Sequence, residues 1–343
     1  MDYVTLETDE FVYGVGDEIL PGVSRVIAEN PSKFTYRGTG TYIIGGGQDV
    51  AVIDPGPILP SHREALAGAL TGRTVRAILV THCHADHSPL AAWLRDETGA
   101  PTYAYGPHGA ATVEWDIGAL PDDFGRPEPT DVADDEPTGP DEPKLEESTD
   151  TAFVPDVEVR SGDVVFTDTA ISVAALHTPG HTSNHSCFAM TSSAGGRILF
   201  TGDHVMGWST TVVAPPDGDM GAYMNSLRMV AGRRDDVAVP THGSPIERPG
   251  RFVGDLVDHR LERERQVLDA VRRGLDTIPD IVEDLYVDVR VELHRPAGSS
   301  VLGHLVKLVS DGIVVVDGSS AADSASDASP ASVPRLDSNY LPV

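Results

Sequence analysis

Apolar and polar positions alternate along the first hundred residues in a way that predicts strands and helices in turn. Two runs rich in β-branched residues, separated by a Gly-Gly-Gln-Asp turn, predict a β-hairpin. A helical segment with Ser61 as its cap follows, and the short apolar run after it is typical of a buried strand. This order of elements is typical of an α/β fold. The predicted strands cover residues 41–45, 50–54, 75–80 and 101–105, and the predicted helices cover residues 61–70 and 88–97.

The second half of the chain repeats the strand pattern and then becomes helical. Strands are predicted at residues 163–166, 171–176, 186–190 and 197–200. Helices are predicted at residues 220–232, 255–273, 277–286 and 297–309, and a short β segment at residues 310–316. Three helices followed by a short β wing resemble a winged-helix module, so we predict a small winged-helix-like α domain at residues 251–318 after a catalytic domain at residues 1–250.

Two stretches lack any hydrophobic pattern. Residues 121–157 are rich in Asp, Glu, Pro, Thr and Gly, and the residues beyond Gly318 are mainly Ser, Ala, Asp and Pro. Such compositions cannot bury enough apolar surface to offset the entropy lost on ordering. We therefore predict a disordered acidic insertion at residues 121–157 and a disordered tail at residues 319–343.

The charge of the chain is strongly negative. The 343 residues include 53 acidic and 25 basic side chains, which gives a formal net charge of −28. This charge disfavours binding to anionic membranes, and to nucleic acid other than a short single-stranded RNA. The acidic residues are spread along the whole chain, which favours a halophilic host. An Arg-rich protein from a GC-rich genome is the alternative.

The cysteine count and the first residues predict a cytoplasmic protein. Cys83 and Cys187 are too few for a disulfide framework. No apolar run approaches the roughly 18 residues that cross a bilayer, and the first ten residues are acidic where a signal peptide would be basic and then apolar. Because the C-terminal module is acidic as well, we expect it to pack on the catalytic domain or to pair in a homodimer rather than bind DNA.

Candidate chemistry concentrates in the sequence His-Cys-His-Ala-Asp-His at residues 82–87. Three imidazoles and a carboxylate directly follow a predicted buried strand, in a loop where alternate side chains converge. Imidazole and carboxylate together suit zinc, with iron or manganese as alternatives, whereas calcium would require more oxygen ligands. Three further donors, His181, Asp203 and His242, stand beside glycine at predicted strand ends. Seven donors are enough to hold two divalent metal ions.

These motifs resemble those of the metallo-β-lactamase superfamily over residues 20–245. The resemblance implies an αββα four-layer sandwich whose metal ions lie at one edge, between the two sheets. The ligand sets that it implies are His82, His84 and His181 for the first metal, Asp86, His87 and His242 for the second, and Asp203 as a bridge between both.

Finer features are similar to the β-lactamase-like protein 2 group. They include Ala-Glu-Asn-Pro at residues 28–31 and the helical C-terminal module. The segments similar to this group contain four residues that we predict to contact the substrate, namely Thr210, Thr211, Tyr223 and Asn225. For the last two, which fall in a predicted helix, a core position for the tyrosine and a solvated one for the asparagine are the alternative.

The ligand set predicts a hydrolase that needs no protein nucleophile. Two metal ions in one site lower the pKa of a bridging water, so that a hydroxide attacks the substrate. Asp86 and Asp203 are the predicted catalytic residues, and Asp54 is a candidate partner that orients a histidine ligand. The leading hypothesis is hydrolysis of a small-molecule ester or thioester, as in glyoxalase II. The alternatives are a single-strand ribonuclease or phosphodiesterase of the β-lactamase-like protein 2 type, and a non-hydrolytic diiron redox protein.

Overall fold

Two β-sheets packed face to face form the centre of the protein. The computed structural model describes residues 11–110, 112, 116–122, 124–125, 148–317 and 333–343. The first sheet contains, in spatial order, β1 (Asp17–Leu20), β2 (Val23–Ile27), β3 (Gly40–Ile44), β4 (Asp49–Ile53), β5 (Thr74–Leu79), β6 (Thr102–Ala104) and β7 (Val157–Glu158). The second contains β8 (Val164–Thr167), β9 (Ile171–His177), β10 (Ser186–Ser192), β11 (Arg197–Gly202), β12 (Val237–Pro240) and β13 (Ile246–Glu247).

Helices cover the outer face of each sheet and complete four layers. The helices α1 (Pro60–Ala69) and α2 (Leu90–Thr98) pack on the first sheet. The helix α3 (Met220–Ala231) and the first half of α4 (Pro249–Arg272) pack on the second sheet. Since β3 and β4 are covered on both faces, nearly all of their residues are buried rather than every second one, and the same holds for the last three residues of β5. The predicted αββα sandwich is therefore confirmed.

A smaller C-terminal module adjoins the sandwich through α4. The second half of this helix packs with α5 (Ile278–Leu285) and α6 (His294–Ser310) in a separate hydrophobic cluster. The predicted domain boundary after residue 250 thus lies inside α4, which contributes to both cores. Thr277 caps α5, because its side chain accepts a hydrogen bond from the Asp280 amide. Among the described helices, none combines the length and the apolarity that crossing a bilayer requires.

The structure corrects the prediction of a disordered tail at residues 319–343. Residues 333–343 are ordered, and the strand β15 (Tyr340–Pro342) pairs antiparallel with β14 (Val314–Val316) to form the wing. Tyr340 is fully buried in the hydrophobic cluster of the module, and this burial stabilises the segment. Residues 318–332 lie outside the described residues.

The predicted disordered insertion is corrected at both ends, and at its start Phe124 is buried in the hydrophobic cluster of the C-terminal module. Residues 148–157 are ordered: the Ser148 carbonyl accepts a hydrogen bond from the Ala85 amide at 3.0 Å, and Phe153 is buried. The segment therefore supports the loop that carries His84 and Asp86. Residues 126–147 lie outside the described residues.

The cap predicted for the first helix is not formed. The helix α1 begins at Pro60, with Leu59 as its N-cap and no side-chain hydrogen bond there. Proline suits the first helical position, because the backbone hydrogen that it lacks would have no partner there. Ser61 therefore lies within the first turn rather than before it.

Candidate metal centre

Seven imidazole and carboxylate groups meet where strands of both sheets end. Residues 82–87 follow β5, His181 follows β9, Asp203 follows β11 and His242 follows β12. We call His82, His84 and His181 the imidazole triad, and Asp86, His87 and His242 the carboxylate triad. Within each triad the candidate ligand atoms lie within 4.8 Å of one another, and His82, His87 and Asp203 form a third such group. The structure thus brings together all seven donors that the sequence predicts.

Two glycines allow the chain to turn tightly at these strand ends. Gly180 has a φ of 139°, and a Cβ there would lie 2.3 Å from the Cα of Tyr223. Gly202 has a φ of 51°, and a Cβ there would lie 2.9 Å from the Cβ of Thr81. Another residue type at Gly180 would require a shift of the Tyr223 backbone, and at Gly202 a shift of the Thr81 and His185 side chains. The glycines that precede His181 and Asp203 therefore bring those side chains to the centre.

The imidazole triad is built from ring nitrogens that approach one another closely. The Nδ1 atom of His84 lies 2.9 Å from Nε2 of His82 and 3.2 Å from Nε2 of His181. Burial, together with the neighbouring imidazole of His181, lowers the pKa of His84 to about 3. Burial also holds the pKa of His82 well below its usual value. These two rings are therefore neutral and present lone pairs for a cation.

The carboxylate triad has the opposite electrostatic character. Nε2 of His87 lies 3.4 Å from Oδ2 of Asp86, and Nε2 of His242 lies 3.3 Å from the same oxygen. Burial alone would lower the pKa of His242, but the carboxylates of Asp203 and Asp86 outweigh it and raise that pKa to about 10. The pKa of His87 is raised well above its usual value by the same carboxylates and by Asp54, again against burial.

Two further carboxylates contact the triads: Asp203 lies between them, and Asp54 lies behind His87. The Asp203 carboxylate lies 3.8 Å from Nε2 of His181 and 3.4 Å from Nε2 of His242, so it faces both triads. Asp54, which has a φ of 47°, lies 2.9 Å from Nδ1 of His87 through Oδ2. The orienting contact that the sequence suggests for Asp54 is therefore present in the structure.

The arrangement fits a bound divalent cation. The outer Nδ1 atoms of His181 and His242 lie 2.7 Å and 3.2 Å from the backbone carbonyls of Val212 and Gly38, which leaves each Nε2 directed to the centre. Metal-binding histidines are typically held in this way. Nε2 of His87 and Oδ1 of Asp203 are buried and have no hydrogen-bond partner among the described residues. A cation such as zinc would satisfy both atoms.

A large cleft opens onto the centre. It has a volume of about 760 Å³, and His84, His181 and Asp203 form part of its wall. This volume lies in the range of small-molecule sites, about 300–1,000 Å³.

The four predicted substrate contacts occupy different positions relative to this cleft. Thr210 lines the cleft, and its predicted contact stays a prediction. Thr211 and Tyr223 are buried beneath it, where their hydroxyls donate to the carbonyls of Asp203 and His204. Asn225 is exposed on α3, away from the residues that line the cleft. None of these three lines the cleft, so their predicted substrate contacts stay predictions, while the hydroxyls of Thr211 and Tyr223 support the loop that carries Asp203.

The cleft also contains a histidine and carboxylate pair that the sequence interpretation missed. Nδ1 of His108 lies 3.5 Å from Oδ2 of Asp217. The other Asp217 oxygen accepts hydrogen bonds from the Ser183 amide, at 3.3 Å, and from the Thr112 hydroxyl. The two residues are 109 positions apart in the chain, and the only local signal is that His108 follows β6 in a Gly-Pro-His-Gly turn. A lone histidine in a turn is not distinctive.

Comparison with known families identifies both parts of the chain. Residues 36–242 match the family described as the metallo-beta-lactamase superfamily. Residues 277–323 match the beta-lactamase associated winged helix domain. The first match alone covers more than half of the chain.

Named relatives are similar to about four fifths of the chain, and a solved structure is similar to nearly all of it. The atrochrysone carboxyl ACP thioesterase of Aspergillus chevalieri is 29% identical over 290 residues, which cover 81% of this chain and 78% of that protein. The beta-lactamase-like protein 2 homolog of Drosophila melanogaster is 29% identical over 298 residues, covering 84% and 88%. A beta-lactamase domain protein from Burkholderia ambifaria superposes with a TM-score of 0.67 at 19% identity, covering 99% and 97% of the two chains, and therefore shares the fold.

Proposed function

Because this chain belongs to the metallo-beta-lactamase superfamily and is a metal-dependent hydrolase, we propose that it hydrolyses thioesters of small organic acids and holds two divalent metal ions, zinc by preference. The observation that carries the proposal is the convergence of the two triads and Asp203 at the wall of a cleft of small-molecule size. The imidazole triad would hold one ion, the carboxylate triad the other, and Asp203 both. The ions supply Lewis acidity, which lowers the pKa of a water molecule and polarises the substrate carbonyl.

The side chains around this centre have defined tasks in the proposed reaction. The Asp86 carboxylate accepts a hydrogen bond from the Thr39 hydroxyl at 2.9 Å and is thereby held for orienting the attacking water. Asp203 lies at the cleft wall, between the triads. Cys83, which lies between two ligands in sequence, is fully buried, and burial raises its pKa to about 12. That thiol is therefore not a nucleophile, and attack by water is the chemistry that the site supports.

The charge of the cleft favours a thioester over a phosphodiester. Among the described residues that line it, Lys33 and Arg295 are the only lysine and arginine, against the carboxylates of Asp203, Asp217 and Glu292. A single-stranded RNA would require a basic groove along its backbone. Relatives named as thioesterases supply independent support for the acyl substrate. Ribonuclease activity, suggested by the similarity to the β-lactamase-like protein 2 group, is therefore the second candidate.

The test measures metal content and substrate class in one preparation. The protein is purified in high KCl, its metals are quantified by mass spectrometry, and it is assayed on S-lactoylglutathione, acyl-N-acetylcysteamine thioesters, bis-p-nitrophenyl phosphate and single-stranded RNA. The double variant Asp86→Ala/His87→Ala tests the centre, and Asp49→Asn, an exposed residue at the start of β4, is the control.

About two zinc ions per chain, together with thioester turnover that the double variant loses and the control keeps, is the expected result. Turnover of the phosphodiester or the RNA alone would overturn the thioester proposal in favour of the second candidate. Bound iron without any hydrolysis would contradict the proposal altogether and support the diiron redox alternative.

A further inference from the structure

The cleft has a second wall that the C-terminal module helps to build. Two residues before the acidic insertion, two on α6 and one on the terminal segment face the cleft together with the metal-binding wall. We call this set the distal wall, and it consists of Ala119, Leu120, Pro296, Ser299 and Leu336. Its members come from three regions of the chain, and apart from Ser299 they are apolar; the charged residues Glu292 and Arg295 of the C-terminal module line the cleft beside them.

Contacts between these three regions fix the distal wall in place. Leu120 packs so closely on α6 that a Cβ on Gly298 would lie 2.9 Å from its Cδ1 atom. The guanidinium of Arg295 donates hydrogen bonds to the carbonyls of Pro121 and Asp122, at 2.7 and 3.0 Å. These bonds hold the segment that carries Leu120 against the start of α6.

The terminal segment is tied to the same place. The Leu336 amide donates a hydrogen bond to the carbonyl of Ile117 at 2.7 Å. Next to it, Arg335 forms an ion pair with Asp116 at 2.6 Å. The distal wall is therefore held by these hydrogen bonds and by the packing of Leu120, with an exposed ion pair beside them, so its shape exists before a substrate enters.

The chemistry of the distal wall selects an apolar partner. The catalytic domain adds Phe34, Met206 and Trp208 to the cleft, and Trp208 is held by stacking on Tyr36 at 5.1 Å between ring centroids. The Arg295 guanidinium is engaged by two carbonyls, and the Lys33 ammonium lies 4.7 Å from the centre of the Phe34 ring. An apolar group gains most by leaving water for such a surface.

We propose that the distal wall binds the acyl group of the thioester, so that the protein selects substrates with a medium-length aliphatic chain or an aromatic acyl group over acetyl. The inference rests on the proposed function, and it assigns the C-terminal module to substrate selection. The reacting carbonyl lies at the metal-binding wall, and the hydrocarbon part extends across the cleft. Each added methylene raises kcat/KM by up to about fourfold until the chain reaches the distal wall.

The test compares acyl-N-acetylcysteamine thioesters with acyl groups of two, six, ten and fourteen carbons. Leu336→Trp and Ser299→Phe each place a larger side chain on the distal wall. Leu341→Trp is the matched control, because Leu341 is exposed on the same terminal segment and does not line the cleft. Circular dichroism melting shows whether each variant folds. If Leu336→Trp does not fold, Ser299→Phe tests the proposal in its place.

We expect kcat/KM of the unaltered protein to rise from two to ten carbons, and each distal-wall variant to lose about tenfold on the ten-carbon substrate while keeping acetyl turnover within about twofold. The control should behave like the unaltered protein. Equal losses on all chain lengths, or no preference for chain length in the unaltered protein, would overturn the proposal.

A binding measurement separates this inference from the proposed function. Calorimetric titration of the zinc-loaded protein with non-hydrolysable S-alkyl thioethers of N-acetylcysteamine requires no turnover. If no thioester is hydrolysed but binding tightens with alkyl length and weakens in Leu336→Trp, the apolar site stands and the thioesterase proposal fails. If alkyl length has no effect on binding, the distal wall is not an acyl site, whatever the activity.

Discussion

The imidazole triad and the carboxylate triad lie side by side, yet they hold their protons differently. In the first, burial keeps the rings of His82 and His84 neutral. In the second, two buried carboxylates keep His87 and His242 protonated against burial, until a metal ion takes the place of those protons. Nearly identical side chains thus acquire opposite protonation states because only one triad contains a carboxylate.

The groups that bond to the outer ring nitrogens also differ in charge between the two triads. Neutral groups orient the imidazole triad: the Thr81 hydroxyl at His82 and the Val212 carbonyl at His181. In the carboxylate triad the Gly38 carbonyl likewise orients His242, but a third carboxylate, Asp54, orients His87. Negative charge therefore concentrates on one half of the centre, and this half should bind its cation with the stronger dependence on pH.

The largest effect is expected where the two triads meet. Asp203→Asn removes a carboxylate that faces histidines of both, so we expect kcat to fall about a thousandfold, since metal-ion catalysis supplies several kcal/mol of transition-state stabilisation. Steady-state kinetics and the metal content of the same samples test this, with Asp49→Asn as the control. A variant that keeps full activity would show that the triads work independently.

The next effect is confined to one triad. Asp54→Asn removes the negative charge behind His87, and we expect metal affinity at the carboxylate triad to fall about 10- to 100-fold while the imidazole triad keeps its affinity. Competition with a chromophoric chelator resolves two affinities per chain. Equal weakening at both triads would contradict the division of charge described above.

The pH dependence of metal binding is a further test of the difference in protonation between the two triads. After removal of metal with a chelator, His242 has a pKa of about 10 and gives up its proton on binding, so the affinity of the carboxylate triad should rise by up to about tenfold per pH unit for each proton displaced. His84 has a pKa of about 3 and the pKa of His82 lies well below its usual value, so these two rings should release no proton on metal binding between about pH 6 and 8. Calorimetry in buffers of different ionisation enthalpy counts the protons released on metal binding. Equal counts for the two triads would contradict their different protonation states.

The smallest expected effect lies beside the imidazole triad. Asp217→Asn weakens the contact with His108 in the cleft, and because a partly exposed pair contributes at most about 1 kcal/mol, kcat/KM should fall about fivefold or less. His108→Gln is the companion variant. A loss as large as that of Asp203→Asn would assign the pair to the reacting atoms rather than to the cleft wall.

The features that depend on local sequence could be predicted. The seven donors follow strand signals directly, and the family resemblance that they carry is confirmed by the matches over residues 36–242 and 277–323. The hydrolase class and the αββα fold are confirmed as well. Zinc as the metal, a cytoplasmic location, a homodimer and a halophilic host stay predictions.

The features that depend on distant parts of the chain could not be predicted. Arg295 bonds to the carbonyl of Pro121, 174 positions away, and no periodicity marks such a contact. The strand β15 lies in a segment of ordinary turn composition, and its order depends on burial of Tyr340 in a core that helices supply. The distal wall therefore emerges only from the folded structure.

The Asp54 carboxylate has a further consequence for how the centre opens. It accepts hydrogen bonds from the Thr81 amide and hydroxyl, both at 2.8 Å, and from the Thr241 hydroxyl at 3.2 Å, 187 positions along the chain. Because it joins strand ends of both sheets, the centre should not fray locally, and the Thr81 amide should exchange with deuterium only through global unfolding. The lifetime of the bound ions would then be set by ligand exchange at the ions. Local opening of the loop at residues 82–87, which contains three of the histidine ligands, would not limit it.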